Sequence, residues 1–253
     1  MKNLRLLFTL LLVILSYSFS ISQNLDLREI VYKAENRLRG KSSIATATIT
    51  IVRPKYEREM IIKIWTKTDD YNIMYIMNPA RDKGTVYLKR KKEIWYYLPS
   101  IERNIKMPPS MMSQSWMGTD MSNDDLVSKS SLADDFKHKL LGEETIKGVE
   151  CYHIELIPKE DADVVWGKVE LWVDKDLFNV MQEEQYDEDM LLVNTMTAYD
   201  VRKMGGEILP IKMEIIPADK PNQKTIMEYN TLDFDVDIPD SYFSQQYMTR
   251  IKP

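Results

Sequence analysis

Hydrophobic and polar residues alternate along most of this chain with the period of a β-strand, and one segment near the start has the period of a helix. Between Leu25 and Arg39, the residues Leu27, Ile30, Val31, Ala34 and Leu38 fall on one helical stripe. Asn24 or Asp26 can cap its start, and Gly40 ends it. From Ser43 onward the period drops to two. In Tyr56 to Thr68, Met60, Ile62 and Ile64 share one face while Glu57, Glu59, Lys63 and Lys67 share the other, which predicts a strand with one dry and one wet side. Similar runs follow at 71–77, 84–89, 93–98 and 103–107, separated by turn residues such as Asn78-Pro79 and Asp82-Lys83-Gly84.

The second half resumes the alternation at 136–141, 149–157, 168–174, 180–186, 191–203, 207–216 and 224–234. Between the halves, Ser122 followed by Asp125 has the form of a capping box and predicts a short helix over 124–129. About a dozen strand-like runs are visible, and the expectation is roughly eleven strands. A sheet of that size twists and curls, because a long flat one leaves its edges bare. The fold class expected is therefore mainly β (α+β). It is a single large, strongly curved antiparallel sheet forming an incomplete barrel, with an N-terminal helix and a central lid-like helical segment over its open side.

The first residues change the picture of where the chain acts. Lys2 and Arg5 precede an apolar run, 6–15, and a small-residue stretch, 16–22, the pattern of a secretory signal peptide too short to span a membrane. We read 1–22 as that signal and 23–253 as one exported, soluble domain; no long linker or repeat divides it. No cysteine stands near the cleavage position, so no lipid anchor is expected. Removing Lys2 and Arg5 takes the 34 basic residues to 32 against 39 acidic ones, a net charge of −7, which argues against nucleic acid as a partner. The single Cys151 cannot form an internal disulfide and reads as a buried, inert thiol.

Catalytic and metal chemistry find little material. His138 and His153 are the only imidazoles and belong to no metal or nucleophile spacing. A calcium loop begun at Asp120 fails, because its sixth position is Asp125 where glycine is required and its twelfth is Ser131 where glutamate is required. The runs Asp124-Asp125, Glu183-Glu184 and 187–189 read as a helix start and solvated turns. We expect no enzyme activity, no cofactor and no metal.

The segment from Trp95 to Leu126 carries most of the functional signal. Pro99, Pro108 and Pro109 break its backbone, and Met107, Met111, Met112, Met117 and Met121 fall within fifteen residues. Unbranched thioethers fit flexible apolar ligands of variable shape, and so much apolar matter in an irregular loop needs a cover or a ligand. The candidate ligand-facing residues are Met60, Ile62, Ile64, Trp95, Tyr97, Met107, Met111, Met112, Trp116 and Met117. At about 0.8 kcal/mol per buried methylene, an acyl chain of about sixteen carbons offers on the order of 10 kcal/mol before ordering costs. A greasy concavity alone can hold a lipid tail, provided its own side chains do not fill it. Which strand faces line that concavity stays open, since Ile61, Trp65, Trp95 and Trp172 place apolar bulk on both parities.

The pattern W-x-Y-L-P-x-x-x-R (Trp95, Tyr97, Leu98, Pro99, Arg103), followed by W-M-G-T-D-x-S-x-x-D-L over 116–126, resembles the outer-membrane lipoprotein-sorting protein family, the LolA/LolB-like group. The similarity extends to the N-terminal helix and to Pro-Asp-Ser-Tyr-Phe at 239–243. Pro99, Arg103, Gly118, Asp120 and Asp125 match its pattern. The resemblance implies a LolA/LolB-like lipid-binding domain over 23–253, a half-barrel whose apolar cavity takes acyl chains of lipoproteins or other lipids in the periplasm. It also implies handling partners, an inner-membrane transporter and an outer-membrane acceptor. We further expect Arg103 to hold the lid shut by pairing with Asp120.

Other classes compete. A sensory or assembly module would use the same concave sheet for an envelope peptide or protein. An enzyme lacks a catalytic constellation. An integral outer-membrane pore needs a continuous apolar outer band, which Lys63, Lys67, Lys168 and Glu170 interrupt.

Overall fold

The computed structural model describes residues 25–251, apart from 69, 92, 128–130 and 163. The signal segment expected at 1–22 therefore lies outside the described residues. Helix α1 (Leu27–Asn36) starts where Asp26 accepts a bond from Glu29 N at 3.1 Å. It stops where Gly40, at φ +60°, donates back to Asn36 O at 3.0 Å. Among the described residues thirteen strands follow, not eleven. They are β1 (Ser42–Arg53), β2 (Tyr56–Lys67), β3 (Tyr71–Asn78), β4 (Val86–Arg90), β5 (Glu93–Leu98) and β6 (Arg103–Lys106) in the first half. The second half holds β7 (Phe136–Ile146), β8 (Val149–Pro158), β9 (Lys168–Asp174), β10 (Val180–Tyr186), β11 (Leu192–Met204), β12 (Glu207–Pro217) and β13 (Lys224–Phe234). Twelve of them correspond to the runs read from the sequence, β6 included, and the one given no range there is β1, whose inward Ala45 and Ala47 are small.

Every pairing among the described strands is antiparallel, and all but one join sequence neighbours; the exception is β1, which pairs with β13 at the centre. The order β6-β5-β4-β3-β2-β1-β13-β12-β11-β10-β9-β8-β7 leaves β6 and β7 at opposite edges, so the sheet does not close. Register shifts within five of the pairings bend it. Because β6 and β7 are consecutive in the chain yet farthest apart in the sheet, residues 107–135 must travel from one edge to the other. That crossover, with its short helix α2 (Asn123–Val127), is the flap.

Register identifies the face it crosses. Ile51, Thr225, Ile215, Met196, Glu183, Leu171 and Ile154 lie opposite one another in succession across seven strands. Ile49, Met227 and Met213 make the next row. This is the inner face. At one end α1 packs on it through Ile30, Val31 and Ala34 against Phe136, Ile154, Leu156, Val169 and Leu171. At the other end the flap packs on β1–β5.

The opposite face of β2–β5 is covered by the C-terminal segment 235–251, which includes helix α3 (Gln245–Met248). Phe243, Met248 and Ile251 bury Trp65, Ile73, Val86 and Leu88 there. Lys67 Nζ ties the segment down by donating to Ile238 O at 2.9 Å and pairing with Asp240 at 2.6 Å. Among the described residues, no helix is long and apolar enough to cross a membrane.

Candidate functional site

The flap is a knot of local bonds before it is a cover. Asn123 Nδ2 donates to Met111 O at 2.8 Å and Gln114 O at 3.1 Å, and Trp116 N donates to Met121 O at 2.9 Å. Met117 at φ +49° and Gly118 at φ +78° close a tight turn between Trp116 and Thr119. The capping box at the start of α2 is reciprocal: Ser122 N donates to Asp125 Oδ2 at 2.8 Å, and Asp125 N donates to Ser122 Oγ at 3.1 Å.

One edge of this knot is bolted to the sheet by charge. Asp120 accepts from Arg53 Nη1 at 2.9 Å and Nη2 at 3.1 Å, and from Thr225 Oγ1 at 2.7 Å. Arg53 Nη2 also donates to Gly118 O at 2.7 Å, Asn194 Nδ2 to Asp120 O at 3.1 Å, and Arg58 to Met117 O. The lid carboxylate is thus held by Arg53 at the end of β1, not by Arg103. Arg103 stands exposed at the start of edge strand β6, opposite Leu98. Sequence reading missed Arg53 because nothing local marks it; its partner is 67 residues away.

The apolar residues expected to face a ligand divide between two faces. Met60, Ile62, Ile64, Met107, Met112 and Trp116 come together in one buried cluster, with Met111, Met117 and Met121 partly buried against it. Trp95 and Tyr97 do not join them. They lie on the outer face of β5, under the C-terminal segment, because they pair with Leu88 and Val86. Their neighbours Ile94 and Tyr96 face the flap instead. Tyr96 stacks on Tyr87 at 6.2 Å, and Trp116 meets Tyr87 edge-on at 5.8 Å. Burial pushes the Tyr87 hydroxyl up to about 12.

The floor directly beneath the flap is not vacant. Met60 and Ile62 have no exposed surface and Trp116 has 1%, so the flap's own side chains fill the space first assigned to a guest. Between the flap and α1 the inner face is less complete. Glu183, Met196, Met227 and Tyr229 point inward there by register, and each keeps some accessible surface.

This middle stretch is recessed and contains carboxyls. Burial, reinforced by nearby Asp125 and Glu35, raises Glu183 to about 7, although Gln185 Nε2 donates to it at 2.8 Å. The same amide reaches Asp125 Oδ1 at 3.1 Å, where Trp166 Nε1 also donates at 3.0 Å. Burial raises Asp125 as well, and it raises Glu35, whose carboxylate binds Ser131 Oγ at 3.1 Å. Tyr229 is pushed up to about 12 by burial. The arrangement is an apolar floor with a polar seam under the inner end of α2. A groove of about 350 Å³ also lies beside α1. It is crossed by the Arg37–Glu207 pair and by Lys33 over Phe178.

Among the described residues, no group of three or more His, Cys, Asp or Glu side chains could hold a metal ion. His153 lies between Glu144 and Glu170, at 3.2 and 2.8 Å, and stacks on Trp172 at 4.1 Å. Cys151 is fully buried, and burial pushes its thiol up to about 11.

Comparison with known proteins places this architecture. A family model described as "Uncharacterized protein" matches residues 68–250. No curated protein matches the chain. Among solved structures, a DUF1329 family protein from Desulfovibrio piger is 24% identical with a TM-score of 0.79, over 87% of this chain and 97% of that one. An outer membrane lipoprotein-sorting protein domain from Vibrio parahaemolyticus is 20% identical with a TM-score of 0.77, over 88% and 98%. A LolA superfamily protein from Nitrosomonas europaea is 24% identical with a TM-score of 0.75, over 88% and 99%. The chain belongs to the family of the model that spans 68–250, and its fold is that of the LolA-like outer-membrane lipoprotein-sorting proteins.

Proposed function

We propose that this protein is a soluble periplasmic carrier that binds acyl chains of lipoproteins or other lipids under its flap and moves them toward the outer membrane. The observation that carries the reading is the flap. A methionine-rich crossover lies across the inner face of an open sheet, and its thioethers rest on Ala45, Ala47, Ile49, Met60 and Ile62. Such a cover is exchangeable by construction: Met107, Met112 and Trp116 occupy the apolar floor as a tail would, and leave it when a tail arrives. Flexible thioethers repack at small cost around chains of different length. The reading assigns no chemistry to the site. Donor and acceptor would be an inner-membrane transporter and an outer-membrane protein.

The filled floor also favours a second reading, an envelope sensory or assembly module that binds a peptide or protein and never loads lipid. Extraction and mass spectrometry of protein purified without detergent separates the two, together with titration by a fluorescent fatty acid. The carrier retains acyl chains, and the fatty acid competes with them. Protein that holds no acyl chain and takes up no fatty acid belongs to the second class.

A further inference from the structure

Strand β7 forms one free edge of the sheet and reads Phe-Lys-His-Lys-Leu-Leu-Gly-Glu-Glu over 136–144. Its basic half and acidic half are mirror images about the Leu140-Leu141 step. We propose that β7 docks against β7 of a second copy of this chain, joining two sheets antiparallel about a twofold axis at that step. In this register Lys137 faces the other copy's Glu144, His138 its Glu143, Lys139 its Gly142, and Leu140 its Leu141.

The bulge in β7 makes this register possible. In an unbroken strand, partners of odd and even number lie on opposite faces, so a centre between two residues would pair no side chains at all. Here Leu141 has no partner on β8, and the strand's parity inverts there. Lys139 opposite Glu155 and Gly142 opposite His153 are both outward, as is Glu144 opposite Cys151. His138 opposite Leu156 and Glu143 opposite Tyr152 are both inward. Every charged pair of the proposed ladder therefore shares a face.

Glu143 already pairs with Lys175 of its own chain, and His138 Nε2 donates to Leu132 O at 2.8 Å, so the ladder rests first on Lys137 against Glu144 and on the leucine step. Lys137, Leu140, Leu141, Glu143 and Glu144 are exposed, Leu140 and Leu141 at 40% and 41%. Glu144 is held at the edge by Trp172 Nε1 at 3.0 Å and His153 Nδ1 at 3.2 Å, with half of its side chain still in solvent. The opposite edge offers no such match, since β6 is four residues, Arg-Asn-Ile-Lys, with no acid of its own, and its Lys106 pairs with Glu93 on β5. Opposite charges facing across strands attract and like charges repel, so the pattern selects a second copy of itself.

Sedimentation of the full mature chain over a concentration series, at low and high salt, tests this. The wild type associates to a dimer that weakens as salt rises. Lys137→Glu and Glu144→Lys each place two like-charge pairs across the axis and weaken self-association at least about tenfold. An equimolar mixture of the two variants restores a heterodimer, because each supplies the charge that the other inverted. Should Glu144→Lys unfold through loss of its Trp172 and His153 bonds, Leu141→Asp, at the exposed bulge, must by itself abolish the dimer. A wild type that stays monomeric throughout, a Lys137→Glu variant that associates as well as wild type, or folded variants whose mixture stays monomeric would each overturn the proposal.

Discussion

Glu183 sits in a mostly apolar row of inner-face residues, between Leu171 on β9 and Met196 on β11. Its carboxyl gains one proton more readily in the folded chain than in the unfolded one, because burial raises it from 4.5 to about 7. Between those values the folded state binds more protons, so stability falls as pH rises through that window and levels off above it. At about 1.4 kcal/mol per pH unit the loss is at most ~3.5 kcal/mol. Glu183→Gln keeps the shape and removes the charge. We expect urea melts of this variant to be flatter between pH 4.5 and 7 than those of the wild type, and to show greater stability at pH 8. A residual slope of the same sign belongs to Asp125 and Glu35, which burial also raises. Equal slopes for variant and wild type would place Glu183 in solvent.

At the scale of the element, the flap's hold on the sheet is concentrated at Asp120. Arg53 and Asp120 are nearly buried, with 11% and 9% of their side chains exposed. Removing one partner leaves the other charge without compensation, at a cost of roughly 3 kcal/mol or more. Arg53→Leu should therefore lower the melting temperature and, on the carrier reading, speed the exchange of a fluorescent fatty acid. Arg103→Leu should leave both unchanged, because Arg103 projects from the exposed edge strand β6.

The capping box of α2, the strand periods and the methionine cluster were legible in the sequence, since each is written in residues a few positions apart. The Arg53 clamp was not, because it joins segments that only the edge-to-edge crossover brings together. Trp95 and Tyr97 misled for a related reason. Both faces of β5 are apolar, one under the flap and one under the C-terminal segment, so alternation alone could not say which was inner.

A sheet of thirteen strands buries both faces of its first half between two covers of opposite character. The inner cover is the flap, irregular and rich in thioethers. The outer cover is the segment 235–251, pinned by Lys67, by Ser42 Oγ donating to Val236 O at 2.7 Å and by Asn104 Nδ2 donating to Gln245 O at 3.0 Å. On the carrier reading, a pinned outer side lets the inner one exchange its contents without the strands unravelling. The segment buries Ile238, Phe243, Met248 and Ile251, and at roughly 1.5–3 kcal/mol per large apolar side chain these four contribute on the order of 8 kcal/mol. That is comparable to the whole stability of an ordinary domain. A chain ending after Phe234 should thus fail to fold, or aggregate through exposed Trp65, Trp95 and Leu88, as read by size-exclusion chromatography and near-ultraviolet circular dichroism. Phe243→Ala, a smaller cut in the same place, should cost about 3–5 kcal/mol by urea melt and, on the carrier reading, leave fatty-acid affinity of the folded fraction intact. A truncated chain that stays monomeric and melts cooperatively would show that β2–β5 need no outer cover.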